Sequence, residues 1–382
     1  MRLLAFAVLV CLTGGAVRAL SPARPEVWMN HVRLEELARP GAKWDYVQRH
    51  LGALEFPINA VGFLISDDDL QRLAAIVKAR RIRVAIECGY FDWVSKLEDL
   101  EKPSPKGMTD TPRLRVEPGV GEETARFEIA KLRPLVRAGV VPDYLNLDGP
   151  IRRMLWPGSD VGRNDLQGLP AIDACVDELV AYMRAMRRAY PKVQFFALVN
   201  FPNWGWKGEP SYWGGMFYGD YYEALKRIDQ KTRAAHIPIL GVTADNPYEY
   251  YAGLQPHKPW MTLPGEARPT KALDVAKIDW RKRLLDLERT VKSRGLEFNL
   301  IVNSQGGGEA SGEAFHRTTL AYLDAYRKDG GAPRRCILQS WYRFPEKVAS
   351  EDEAYTMTNL VKEAIRRIEG ESGRPAAMGD RP

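Results

Sequence analysis

The sequence predicts an α/β fold, a single-domain (β/α)8 or TIM barrel with long βα loops, on three observations. Eight short apolar runs end in polar or acidic residues, an amphipathic stretch follows nearly every one, and 382 residues suit one barrel once a leader is set aside. Strands that alternate with helices imply right-handed crossovers and a parallel sheet, and eight such strands can close on themselves.

The runs span residues 26–31, 58–66, 84–89, 144–149, 193–200, 237–245, 298–305 and 336–341. The helical stretches span 42–54, 67–80, 123–139, 172–190, 221–235, 275–295, 314–330 and 351–370. Several open on Asp, Glu or Ser and close near Gly or Pro, as helix capping requires.

Residues 1–19 carry one early Arg, an apolar core and Val17-Arg18-Ala19, the pattern of an export signal cleaved after Ala19. That places the mature chain in the periplasm or outside the cell. The barrel is expected over 20–370 and a disordered tail over 371–382. No later apolar segment approaches the roughly 20 residues that cross a bilayer. Cys88, Cys175 and Cys336 are too few and too widely spaced for a disulfide framework or a zinc pattern. The net charge of +6 is scattered along helices among acids, which reads as solvated faces and not as a nucleic-acid surface.

Strand alternation sorts the side chains, because a barrel's outward face is apolar while polar groups near strand ends face the mouth. Val84, Ile86, Leu145, Leu147, Leu240, Val242 and Ala244 take the outward set. Glu87, Asn146, Asp148, Thr243, Asp245, Asn299, Asn303, Gln339 and Trp341 then point inward. The outcome is a mouth with carboxylates from three strands, Glu87, Asp148 and Asp245, ringed by Asn30, Asn303 and Trp341.

A buried carboxylate loses hydration, so strand-end acids on this face are commonly functional. Asp148, turned at the rim by Gly149 and Pro150, is the central candidate; the alternative is a loop cap or a pair with Arg152 or Arg153. Glu87 and Asp245 are its candidate partners, since two carboxylates across an acetal divide acid and base work. Asp92, Asp220 and Glu309 sit in loops that could also reach the site.

The later loops carry Trp204, Trp206, Tyr212, Trp213, Phe217, Tyr218, Tyr221, Tyr222, Tyr248, Tyr250, Tyr251, Trp341 and Tyr342. Aromatic faces match the C–H faces of sugars, with roughly half the rings expected to pack the loops instead. Asn30, Asn146 and Asn303 are candidates to hold hydroxyls, and Trp204, Tyr248 and Trp341 to stack on rings. Metal chemistry is disfavoured, since His31 stands without a second histidine two residues away. Neither a cofactor nor a metal is called for. The glycine-rich run NSQGGGEASG departs from the phosphate-loop pattern. Ser66, Ser304 and Ser340 lack a His and Asp relay.

Taken together the pattern resembles the TIM-barrel glycoside hydrolase superfamily. The segment YLNLDGP is similar to the fourth-strand aspartate segment of the alpha-galactosidase-like clan. That resemblance implies Asp148 as nucleophile and Asp245 as proton donor. The segment is also similar to the fourth strand of chitinase-like barrels, but their DxxDxDxE run is missing: DYLNLDGP has no Glu after Asp148. The Asn-Glu at strand four and Glu at strand seven of the cellulase-like clan are absent too, the seventh run ending in Asn303 and Ser304. The expected function is cleavage of glycosidic bonds in an oligo- or polysaccharide. The rival is a non-catalytic carbohydrate-binding barrel, because a fold alone implies no activity. A phosphodiester or lipid hydrolase would need a second histidine or a metal at the mouth.

Overall fold

The computed structural model describes residues 24–91, 119–155, 169–209, 219–254 and 278–370. The leader at 1–19, the tail at 371–382, and Asp92, Tyr212, Trp213, Phe217 and Tyr218 lie outside the described residues.

Eight parallel strands close into a barrel in chain order. They are β1 (Glu26–His31), β2 (Ala53–Pro57), β3 (Arg83–Cys88), β4 (Tyr144–Asp148), β5 (Gln194–Asn200), β6 (Gly241–Asp245), β7 (Glu297–Val302) and β8 (Arg335–Ser340). The main outer helices are α1 (Asp45–His50), α2 (Asp67–Arg80), α3 (Val120–Arg137), α4 (Pro150–Leu155), α5 (Leu169–Ala189) and α6 (Tyr221–Ala234). They continue with α7 (Tyr248–Tyr251), α8 (Trp280–Ser293), α9 (Gln305–Ala310), α10 (Gly312–Lys328) and α11 (Met357–Glu369). Side-chain oxygens of Ser66, Asp220, Asp279, Ser311 and Thr356 accept backbone N–H bonds at the starts of α2, α6, α8, α10 and α11, satisfying donors that a helix leaves open.

Seven strands fall on the expected runs; the second does not. Residues 58–66 were expected to pair in the sheet, yet Ala60–Leu64 forms a wide helical turn, and β2 is ALEFP, whose first two residues the sequence pattern had merged with the preceding helix. An apolar run of this length has no period that separates helix from strand. ALEFP does alternate, with Leu54 and Phe56 outward in the main core and Ala53 and Glu55 inward. The second exception is Leu240. It packs against the interior cluster, not the helical layer, because it precedes the start of β6.

The interior is layered. At the base, Arg335 pairs with Glu297 and Glu26 and lies over the rings of Trp28, Tyr144 and Phe196, 5.0–5.3 Å from their centroids. Arg83 donates to Glu26 at 2.7 Å and to the Tyr144 hydroxyl at 2.6 Å. Above this base Trp28, Ala53, Ala85, Phe196, Leu198, Ile301 and Ile337 fill the bore. Such a filled centre makes the barrel a packed core and leaves chemistry to the strand ends. Cys88, Cys175 and Cys336 are free and buried.

Candidate active site

Above the apolar layer polar side chains turn inward: Asn30, Glu55, Glu87, Asn146 and Asp148, Asn200, Asp245 and Gln339, with Asn303 just past β7; Thr243 and Asn299 lie lower, Asn299 level with Arg335. Strand pairing sets the neighbours. Asn30 lies beside Glu55 on one side and Gln339 on the other, Glu87 beside Asn146, and Asn200 beside Asp245.

Glu55 is fully buried and is the acid that sequence reasoning missed. Its Oε2 accepts from Asn30 Nδ2 at 3.1 Å and its Oε1 from Asn146 Nδ2 at 3.0 Å. The signal was present: ALEFP sets its acid on the same alternation that places Asn146 in YLNLD. Burial pushes the Glu55 carboxyl up to about 7, against the two amide hydrogen bonds, which favour the ionised form.

Glu87 shares the same amide. Asn30 Nδ2 also donates to Glu87 Oε2 at 2.7 Å, and Gln339 Nε2 donates to that oxygen at 2.6 Å. Two N–H donors on Oε2 leave Oε1 to carry a proton, and Oε1 lies 3.2 Å from the Tyr90 hydroxyl. Burial holds this carboxyl well above the usual range, and the charges of Asp148, Glu55 and Asp245 push it further, with the Asn30 bond opposing.

Asp148 is the ion-paired member of the set. Its Oδ2 meets Arg153, whose Nε also donates to the Asp148 carbonyl at 2.8 Å. The Arg153 guanidinium lies 4.5 Å from the Tyr90 ring centroid, so Arg153 and Tyr90 together join Asp148 to Glu87. Among the described residues Asp148 Oδ1 is buried without a hydrogen-bond partner, as are Asn146 Oδ1, Asn200 Oδ1, Asn303 Oδ1 and Gln339 Oε1. Five buried acceptors around one mouth suit a ligand rich in hydroxyl donors.

Asp245 accepts from Asn200 Nδ2 at 3.0 Å and, at the 3.5 Å limit, from Asn303 Nδ2. Burial raises it to about 6; the Asn200 bond opposes, Asp148 adds to the rise, and Asn303 and Arg152 oppose it.

The three carboxylates named from sequence therefore act on one another; Asn30 donates to Glu87 and Asn303 to Asp245, while Asn146 donates to Glu55. The aromatic candidates divide. Trp341 is 43 % exposed at the end of β8 and stacks on Tyr342 at 4.8 Å. Tyr248 is half-buried against Tyr322. Trp204, expected to stack on a sugar, is 2 % exposed and wedged edge-on against Tyr221 in the outer core, so its faces are covered. Asp220 is spent on the α6 cap and on the amides of Lys207 and Gly208; Glu309 is exposed on α9. The amides of Gln305 and Gly306 at the start of the glycine-rich α9 bond to Glu249 at 3.0 and 2.8 Å, and that carboxylate already fills the place of a phosphate. His31 faces outward from β1, and burial lowers it to about 4.

No family model and no curated protein matches the chain. Solved structures similar to it include an endo-β1,6-glucanase (10 % identity, 84 % of this chain and 67 % of that one, TM-score 0.47). They also include an endo-β-1,4-mannanase from Thermotoga petrophila (10 %, 92 % and 78 %, 0.45) and the catalytic domain of a β-amylase from Paenibacillus polymyxa (9 %, 84 % and 93 %, 0.45). A morphinone reductase stands among them at 11 % identity, 84 % of each chain and a TM-score of 0.43. The chain is thus a TIM barrel by its own strand pairing, with glycoside hydrolases among its structural neighbours.

Proposed function

We propose that this protein is a glycoside hydrolase acting on an oligo- or polysaccharide, with Glu87 as proton donor to the leaving oxygen and Asp148 as the charged carboxylate at the anomeric carbon. One observation carries the reading. Glu87 is held toward its protonated form while its neighbour Asp148 is ion-paired with Arg153, and two carboxyls with opposed environments are what acetal cleavage requires. Asp245, raised by burial to about 6, serves as an acceptor for a substrate hydroxyl. Asn146, Asn200, Asn303 and Gln339 offer acceptors to sugar hydroxyls, and Trp341 offers an exposed ring.

The test is a screen of the purified protein against a glycan panel, read by new reducing ends. On any glycan it cleaves, Glu87→Gln and Asp148→Asn should each lower turnover by about 10²–10⁴-fold while the fold persists. Wild-type turnover in either variant would refute the assignment. The Asp148–Arg153 pair favours a second reading, a carbohydrate-binding barrel without turnover. Binding of a glycan with no new reducing ends would select it.

The same proposal takes residues 1–19 as an export leader, with a periplasmic or extracellular site of action. N-terminal sequencing of exported protein should begin at Leu20; an intact Met1 in that fraction would rule the leader out.

A further inference from the structure

We propose that Glu55 and Glu87 form one proton-sharing unit strung on the Asn30 amide, in which Glu55 keeps the charge and Glu87 keeps the proton delivered at the mouth. Glu55 is then a positioning residue, buried beneath the substrate and acting only through Glu87. The inference rests on the reading of Glu87 as the acid, and deepens it.

The geometry argues for the unit. A side-chain amide has two N–H groups, and Asn30 spends both on carboxylate oxygens, 3.1 Å to Glu55 and 2.7 Å to Glu87. Two carboxylates held on one nitrogen in a water-poor bore repel each other when both are ionised, so one proton is retained by the pair. Hydrogen bonding decides where it resides. Both Glu55 oxygens face N–H donors, whereas among the described residues Glu87 Oε1 faces only the Tyr90 hydroxyl, which can accept as well as donate. The proton therefore belongs on Glu87 Oε1. The other charged or titratable groups facing Glu87 are Tyr90, Asp148 and Asp245, with Arg153 held against Tyr90 and Asp148; Gln339 adds a neutral amide.

In the reaction, the Glu87 proton passes to the glycosidic oxygen as the anomeric C–O bond breaks and that oxygen takes the bonding pair. Water supplies the hydroxyl that completes the anomeric carbon, and its remaining proton returns to Glu87. The Glu55 charge beneath favours that return, since it disfavours a second anion on Asn30.

The test titrates the full-length chain, labelled with 13C at glutamate carboxyls, by infrared and carbon NMR. Wild type should show a glutamate carboxyl that stays protonated through neutral pH and vanishes in Glu87→Gln. In Glu55→Gln its midpoint should fall by about one pH unit or more. Glu87 is still neutral while Glu55 ionises, so Glu87→Gln should leave the Glu55 midpoint within about half a unit of wild type. An unchanged Glu87 midpoint in Glu55→Gln overturns the unit. If Glu55→Gln fails to fold, the order of the two wild-type midpoints decides alone: Glu55 should lose its proton first, and Glu87 losing its proton first overturns the unit. Where a glycan is hydrolysed, Glu55→Gln should also bring the alkaline limb of kcat to lower pH, which a merely structural role would not do. Coupled midpoints in a protein that cleaves no glycan would sink the hydrolase reading and leave the proton-sharing pair standing.

Discussion

Glu55 sits where the hydrophobic effect alone would place Val or Ile, and its ionisation sets a distinct stability profile. Its folded-state value is about 7 against an ordinary 4.5, so the folded chain holds this proton to higher pH than the unfolded chain and gives it up on the way to the charged form near neutrality. The resulting contribution to stability is complete below pH 4.5 and is lost as pH rises through 7. Asp245, raised from 3.8 to about 6, works in the same direction over a lower window. Glu55→Gln removes the ionisable group, and the unpartnered Asn146 Oδ1 can rotate to accept the new N–H. Urea unfolding should show the variant more stable than wild type by about 2–3 kcal/mol at pH 8 and equal to it at pH 4. A variant equally destabilised at both values would mean that Glu55 is ionised in the fold throughout. Among single residues, sequence alternation placed Glu87, Asp148 and Asp245 inward, because each lies near the end of a run whose outward positions are plainly apolar. It missed Glu55, since an acid and a proline in five residues conceal a strand, and it missed Tyr90, which reaches the site from beyond a strand end; the Asp148–Arg153 pair it had offered as an alternative is present.

Helices and strands were more legible than the joins between them. The α2 pattern, three Asp residues after Ser66 and an Arg at the close, shows its own ends, and the structure begins and ends the helix at those residues. The second strand was hidden because residues 58–66 are more apolar than ALEFP, and burial on both faces erases the period that identifies a strand. Close approaches between elements were also invisible from sequence, since they depend on a neighbour remote in the chain. Gly121, near the start of α3, is an example. A Cβ there would lie 2.0 Å from the Glu178 carbonyl of α5, so Gly121→Ala must push the helices apart. The expected cost is about 3 kcal/mol, read as a lowered midpoint in thermal or urea unfolding. No change would show that the two helices can separate freely.

The whole molecule divides its labour along the barrel axis, with ion pairs and rings at the base and carboxylates at the top. Arg335 is 3 % exposed and joins Glu26, Glu297 and three rings, so Arg335→Ala should cost about 2–3 kcal/mol in unfolding experiments. Turnover of any accepted glycan, measured well below the new midpoint, should stay within about twofold of wild type, since no Arg335 bond reaches Glu87 or Asp148. A large loss of turnover in a folded variant would mean that base and mouth are coupled, with Asn299, which accepts from Arg335 at 3.3 Å and donates to Thr243 at 3.2 Å, as the connection to examine. The stopper of guanidinium and indole has one more result. A cylinder plugged beneath is a blind well, so whatever enters must leave by its own path of arrival. The acid at its bottom is recharged by water that comes in from above and is itself consumed there.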